Sequence, residues 1–304
     1  TTAIEVIADR AASYSMPGTR IDGNDATEVS FAMKEAVERA RNGEGPSLIE
    51  AVTYRWGQHS MRANLRDPRP EEEQDHWRSR DPLKLMEKAL LEIRALSEAD
   101  IETLRNDTAA EIQEAVEFGE QSPEPTIEQM ARSVYATHKS VTEPAGKGTR
   151  EIGFVEALNE AMHQEMQYDS SVIVMGEDVA LTGGIFSATK GLAEKFGEER
   201  VRDTPISEAT FVGCGVGAAI AGLRPVVELQ IFDFVTLTMD MLVNQAAKFR
   251  FMLGGEPTVP LVIRGPQGGG IRMAAQHSQS LEAWFAHIPG LVVVGPSSPY
   301  DAKG

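Results

Sequence analysis

The chain has 304 residues, enough for about two domains at roughly 150 residues each. With 29 Lys and Arg against 46 Asp and Glu it carries a formal charge of −17, which argues against a nucleic-acid partner. Its single cysteine, Cys214, excludes an internal disulfide framework and a four-thiolate zinc site, and a reducing, cytoplasmic setting is expected. No run approaches the roughly 18 apolar residues of a membrane span, and Thr1-Thr2-Ala3-Ile4-Glu5 lacks the basic-then-apolar layout of a secretory signal.

In chain order, residues 1–15 predict a short helix and Met16–Asp25 a turn-rich loop. Asp25 with Glu28 three residues on forms a capping-box pattern. The helix it opens carries Val29, Met33, Ala36, Val37 and Ala40 on one face and ends at Gly43. Ser47–Tyr54 predicts a buried strand, followed by a polar loop of about 20 residues, Arg55 to Trp77. Two amphipathic helices follow at 81–96 and 98–120, the second with a Glu-rich solvated face. Around His138 to Glu151 the apolar periodicity stops and Lys, Ser, Thr, Pro and Gly take over, as in a linker.

Beyond it, helices at 151–167, 187–197, 208–222, 235–253 and 280–286 alternate with strands at 172–175, 225–232, 259–264 and 291–294. That alternation predicts an α/β fold whose parallel sheets carry helices on both faces. Pro299 followed by Asp301 predicts the start of another helix. Together with the start on Thr1, it leads us to expect a segment of a longer chain with partial domains.

Gly213-Cys214-Gly215-Val216-Gly217 tempts a dinucleotide reading. Those glycines, however, fall inside a helical stretch and not in a strand-to-helix turn, so close packing is expected, with Cys214 buried. Gly265–Gly270 follows a strand, where doubly wound sheets bind ligands, and leads to His277, whose role is either a structural hydrogen bond or catalysis. His59 holds the corresponding place after the first strand, and His287 reads as structural. Glu208 opens a helix, where a carboxylate can simply satisfy the N-terminal dipole, and taken alone that is the favoured reading. No HExxH or CxxC spacing points to zinc.

At this point longer words are recognisable. "MPGTRIDGND", "GEGPSLIEAVTYRWGQHS" and "RDPLKLMEKAL" resemble the C-terminal half of the α subunit of the decarboxylating component of 2-oxo acid dehydrogenase complexes. The stretch from "MGEDVALTGG" through "DTPISEATFVGCGVGAAIAGLRPVVELQIFDF", with "VPLVIRGPQGGG" and "QHSQSLEAWFAHIPGLVVVGPSSPYDAKG", resembles the N-terminal half of the β subunit. The resemblance implies an α–β fusion. Residues 1–137 would be the diphosphate-binding type with a helical tail, 138–150 the linker and 151–304 the pyrimidine-binding type.

It also implies thiamine diphosphate and Mg²⁺ as cofactors, a lipoyl-bearing acyltransferase partner, a homo- or hetero-oligomer, and oxidative decarboxylation of pyruvate or a branched-chain 2-oxo acid. Acetoin cleavage and a non-catalytic scaffold piece are the alternatives. Glu208 falls on the glutamate that hydrogen-bonds the aminopyrimidine N1′, and Phe234 on the aromatic that stacks on that ring. His277 matches a histidine assigned to proton transfer and reductive acylation, and His59 one on a loop near the diphosphate. Arg55 neighbours that loop, and Leu261 falls where relatives offer a carbonyl to K⁺. Two departures stand out. The GDG…NN motif for diphosphate and metal is missing, and Ala63 occupies a position that is usually acidic. Ser60 aligns with a residue that kinases modify in mitochondrial relatives.

Overall fold

The structure is a computed structural model that describes residues 3–57, 67–137 and 149–304. The chain divides into two compact units, Thr1–Ser122 and Pro123–Gly304.

In the first unit a 3-10 turn at Ile7–Tyr14 precedes strand β1 (Gly18–Asp22), helix α1 (Ala26–Arg41) and strand β2 (Leu48–Val52). β1 lies where the sequence predicted a turn-rich loop; its Gly-Thr-Arg-Ile-Asp run has too few apolar residues to read as a strand. The two strands pair in parallel, Gly18 opposite Leu48 and Asp22 opposite Val52, with α1 as the crossover. Asp25 caps α1 by accepting from the Thr27 and Glu28 amides at 2.9 and 3.2 Å, as its position predicted. Predicted buried, β2 is only half-buried, because the sheet has two strands among the described residues and α1 buries no side chain fully.

Helices α2 (Glu71–Ser79), α3 (Pro82–Glu92) and α4 (Glu98–Gln121) complete the unit. α2 shortens the predicted 55–77 loop. Three glutamates in its first turn favour the helix N-terminus, a signal that a polarity count reads as loop. Ser97 and Asp100 close a reciprocal capping box on α4.

The second unit opens with α5 (Ile127–Val134), which sequence periodicity did not single out, and α6 (Phe154–Tyr168). The expected linker falls largely on 138–148, outside the described residues. Then come β3 (Val172–Gly176), α7 (Leu192–Phe196), β4 (Val201–Asp203), α8 (Glu208–Ile220) and β5 (Arg224–Glu228). α9 (Phe249–Met252), β6 (Val262–Arg264), α10 (Glu282–Ala286) and α11 (Pro299–Lys303) finish the unit. The four strands form one parallel sheet in the order β4-β3-β5-β6.

Both faces of this sheet are covered, which is why β3 is buried at every position. Val172 and Val174 face a cluster with Met162, Met166, Leu192 and Val201. Met175 and Val227 face the other cluster, with Phe211, Val212, Leu229, Val235, Leu281 and Phe285. Gly215 packs α8 onto the sheet: a Cβ there would meet Val227 Cγ2 at 2.8 Å and Leu261 Cδ1 at 3.2 Å, whereas Gly217 faces open space. The helix thus presses directly on β5 at Gly215, and the three glycines lie within α8, not in a strand-to-helix turn. Cys214, expected to be buried, is exposed, because it lies on the face of α8 turned away from the sheet.

Two predicted elements change form. The single helix at 235–253 is a 3-10 turn (Phe232–Thr238), a π-helical stretch (Asp240–Ala246) and α9. Its first residues are tied to a neighbouring loop, Phe232 N–H donating to Pro266 O at 2.9 Å. The 291–294 strand pairs with no other strand among the described residues, and Val292 and Val294 are exposed.

Candidate functional site

Strand order places the site. From β3 the chain steps to β4 on one side, then returns across the sheet to β5 and β6 on the other. The crevice beyond the C-terminal ends of strands flanking such a reversal is where open parallel sheets bind ligands. Each of the four strands is followed, before the next strand, by one candidate residue. Glu177 follows β3, Glu208 follows β4 at the first position of α8, Phe234 follows β5, and His277 follows β6 across the glycine loop.

Glu208 is 7% exposed, so it is a buried carboxylate and not merely a surface helix-dipole partner. Glu177, which sequence reasoning missed, is equally buried, and its Oε1 has no hydrogen-bond partner. Burial pushes Glu177 above the usual carboxylate range, and the charges of Glu208 and Asp178 push it further. The signal for it was present in the sequence: an acidic pair directly after an all-apolar strand. A third buried carboxylate, Glu228 at the end of β5, is paired with Arg264 at the end of β6. Burial raises Glu228 and Arg264 opposes the rise.

These pKa directions give a stability prediction with a definite sign. A carboxylate whose pKa rises on folding costs stability at pH values above its unfolded pKa of about 4.3, and the cost vanishes below it. Glu177→Gln is therefore expected to raise the melting temperature at pH 7, on the order of 2–4 °C if it relieves about 1 kcal/mol. The gain should vanish near pH 4. Thermal scans of both proteins across that range check it, and a loss of stability at pH 7 would contradict it.

Phe234 and His277 are brought together. Their rings meet edge to face, 5.2 Å between centroids at 80°, and both are partly buried. Asp233, between two phenylalanines and also missed at first, is 3% exposed and accepts two hydrogen bonds from Gln279. Leu261 is partly buried against the core cluster beneath α8. His287 caps the end of α10 on the surface.

In the first unit, His59 and Ser60 lie outside the described residues. Arg55 and Trp56 offer backbone carbonyls to the Arg69 guanidinium, which also pairs with Asp67 at 2.6 Å. Arg69 lies 4.7 Å over Tyr54, and Tyr54 stacks on Trp77. Hydrogen bonds from Arg69 hold the Asp67 carboxyl down at about 2, so this pairing persists above the ordinary carboxylate pKa and is lost as pH falls toward 2. Among the described residues no group of three or more His, Cys, Asp or Glu could hold a metal ion. No described helix is long and apolar enough to cross a membrane.

Comparison with known proteins bears on this geometry. Residues 150–304, which carry the whole four-stranded sheet and its site, match the family described as "Transketolase, pyrimidine binding domain". The chain belongs to that family. Residues 1–128 match a second family, "Dehydrogenase E1 component", so one chain carries an α-like and a β-like part in tandem, as an α–β fusion would.

The 2-oxoisovalerate dehydrogenase subunit beta of Bacillus subtilis is 50% identical over 153 residues, covering 50% of this chain and 47% of that protein. The mitochondrial pyruvate dehydrogenase E1 component subunit beta-1 of Arabidopsis thaliana is 50% identical over 157 residues, 52% and 43% of the two chains. An acetoin:2,6-dichlorophenolindophenol oxidoreductase subunit beta of Cupriavidus necator is 49% identical over 165 residues, 51% and 48%. The chain spans about half the length of these curated relatives.

Proposed function

We propose that this chain supplies the aminopyrimidine-binding part of a thiamine-diphosphate-dependent enzyme. The reaction is oxidative decarboxylation of a 2-oxo acid with transfer of the acyl group to a lipoyl arm. The observation that carries the reading is the buried Glu208 at the reversal point of a parallel sheet, inside the stretch that matches the pyrimidine-binding family.

The residues present fit the pyrimidine end of the cofactor. Glu208, screened from water, would hold or release a proton at the ring nitrogen N1′. Glu177 lies close enough for the charge of Glu208 to push its carboxyl further above the usual range, beyond what burial does. Phe234 offers an aromatic face for the ring, and His277, in contact with Phe234, would donate a proton to a sulfur leaving an opened dithiolane. When bound, the cofactor supplies the electron sink for loss of CO₂.

The diphosphate–Mg²⁺ end is not matched in the same way. Among the described residues no cluster of three or more His, Cys, Asp or Glu could hold a metal ion, and GDG…NN is missing from the sequence. His59 and Arg55 are proposed to face the diphosphate, and the Leu261 carbonyl a K⁺ ion. The partner proposed is a lipoyl-bearing acyltransferase, within a homo- or hetero-oligomer in the cytoplasm, and the domain boundary is placed at 138–150.

The acetoin-cleaving reading stands second, on the 49% identity to an acetoin oxidoreductase subunit. Assaying the complete protein with pyruvate, branched-chain 2-oxo acids and acetoin, with a dye as electron acceptor, tests both. Thiamine-diphosphate-dependent dye reduction with a 2-oxo acid is the expected result. Turnover of acetoin alone would favour the second reading, and no turnover of any of them would overturn both.

A further inference from the structure

A buried carboxylate is expensive unless its oxygens are satisfied, and Asp233 is 3% exposed in the turn between Phe232 and Phe234. One oxygen, Oδ1, accepts from both the backbone N–H and the side-chain amide of Gln279, at 3.0 and 2.9 Å. The other, Oδ2, is buried with no partner among the described residues. Both bonds come from one residue of the loop that follows β6.

That loop is fastened at both ends to the same turn. Pro266 O accepts from Phe232 N at 2.9 Å near its start. Gln279 O accepts from Gly268 N at 2.9 Å, which closes the loop on itself. Between these ties Arg272 and Ala274 stand at φ 56° and 63°, a left-handed backbone that side-chain-bearing residues keep only where the surroundings impose it. His277 lies two residues before Gln279, and its ring meets Phe234, the residue next to Asp233. The histidine and its aromatic neighbour are therefore both referred to one carboxylate, Phe234 along the chain and His277 through Gln279.

We infer that Asp233 is a positioning residue that sets the His277 ring against Phe234, acting through Gln279. Its consequence for the reaction rests on the role proposed for His277 above; the positioning itself does not. Asparagine keeps an Oδ1 acceptor for both Gln279 donors, whereas alanine keeps neither.

The test is the ring-proton NMR shift of His277 in the full chain, labelled at histidine and assigned through His277→Asn. Phe234→Leu provides the shift without the aromatic neighbour. Asp233→Ala is expected to move the resonance toward the Phe234→Leu position, and Asp233→Asn to leave it near that of the parent. If Asp233→Ala does not fold, Gln279→Ala, at an exposed position that removes one of the two bonds, should move it the same way by less. An unmoved resonance in the folded variants overturns the inference. A moved resonance in Asp233→Ala beside unimpaired acyl transfer in His277→Ala supports the positioning and overturns the role given to His277.

Discussion

Replacing Glu208 by glutamine in the complete, cofactor-bound protein is expected to slow C2–H/D exchange of thiamine diphosphate by about 10²–10⁴. That range corresponds to roughly 3–5 kcal/mol of barrier. Glutamine keeps the volume of the side chain and can still hydrogen-bond, but it has no carboxyl proton to share with the ring nitrogen. The structural cost is far smaller. A charge lost from the first turn of α8 costs about 0.3–1 kcal/mol, and removing Glu208's charge also relieves Glu177. A folded variant with lost exchange is thus the expected outcome, read by NMR of the bound cofactor beside a thermal scan. Exchange as fast as in the parent would remove Glu208 from its assigned role.

His277→Ala is expected to reduce reductive acylation of a free lipoyl domain by about 10²-fold or more, and dye-coupled decarboxylation much less. The difference follows from where each step needs a proton. Decarboxylation leans on the cofactor as electron sink, whereas opening a dithiolane leaves a sulfur that must be protonated. An imidazole ring, which can carry a proton and give it up, suits that task. His277 stands in a loop past the end of β6, edge-on to Phe234 and only partly buried, so an incoming group can reach it. Equal losses in both assays would place His277 in cofactor or substrate binding, and no loss in either would return it to a structural role.

The parallel sheet of the second unit was legible because its strands are buried on both faces and read as unbroken apolar runs, Val172–Met175 most clearly. Short or polar strands were not. β4 has three residues and β1 a Gly-Thr-Arg-Ile-Asp sequence, and both exist because a neighbour pairs with them. Conversely, Leu291–Val294 has the composition of a strand and pairs with none among the described residues.

Glu208, Phe234 and His277 were singled out through family words, and the residues around them were not. Glu177 and Asp233 look like ordinary acidic residues in sequence. Only the fold shows that β3 leads into a buried carboxylate close enough to feel the charge of Glu208, or that residue 233 reaches residue 279. Cys214 went wrong for a related reason: Gly215 marks the face of α8 that packs on the sheet, and the cysteine, about 100° round the helix from it, is exposed.

The most direct measurement is the position of the aminopyrimidine ring in a crystal structure of the complete protein with thiamine diphosphate. A Glu208 carboxylate oxygen within about 2.5–3.2 Å of N1′, with the ring beside Phe234, is the expected result. A ring seated away from the C-terminal ends of β3, β4 and β5, or a Glu208 side chain with no contact to it, would contradict the assignment.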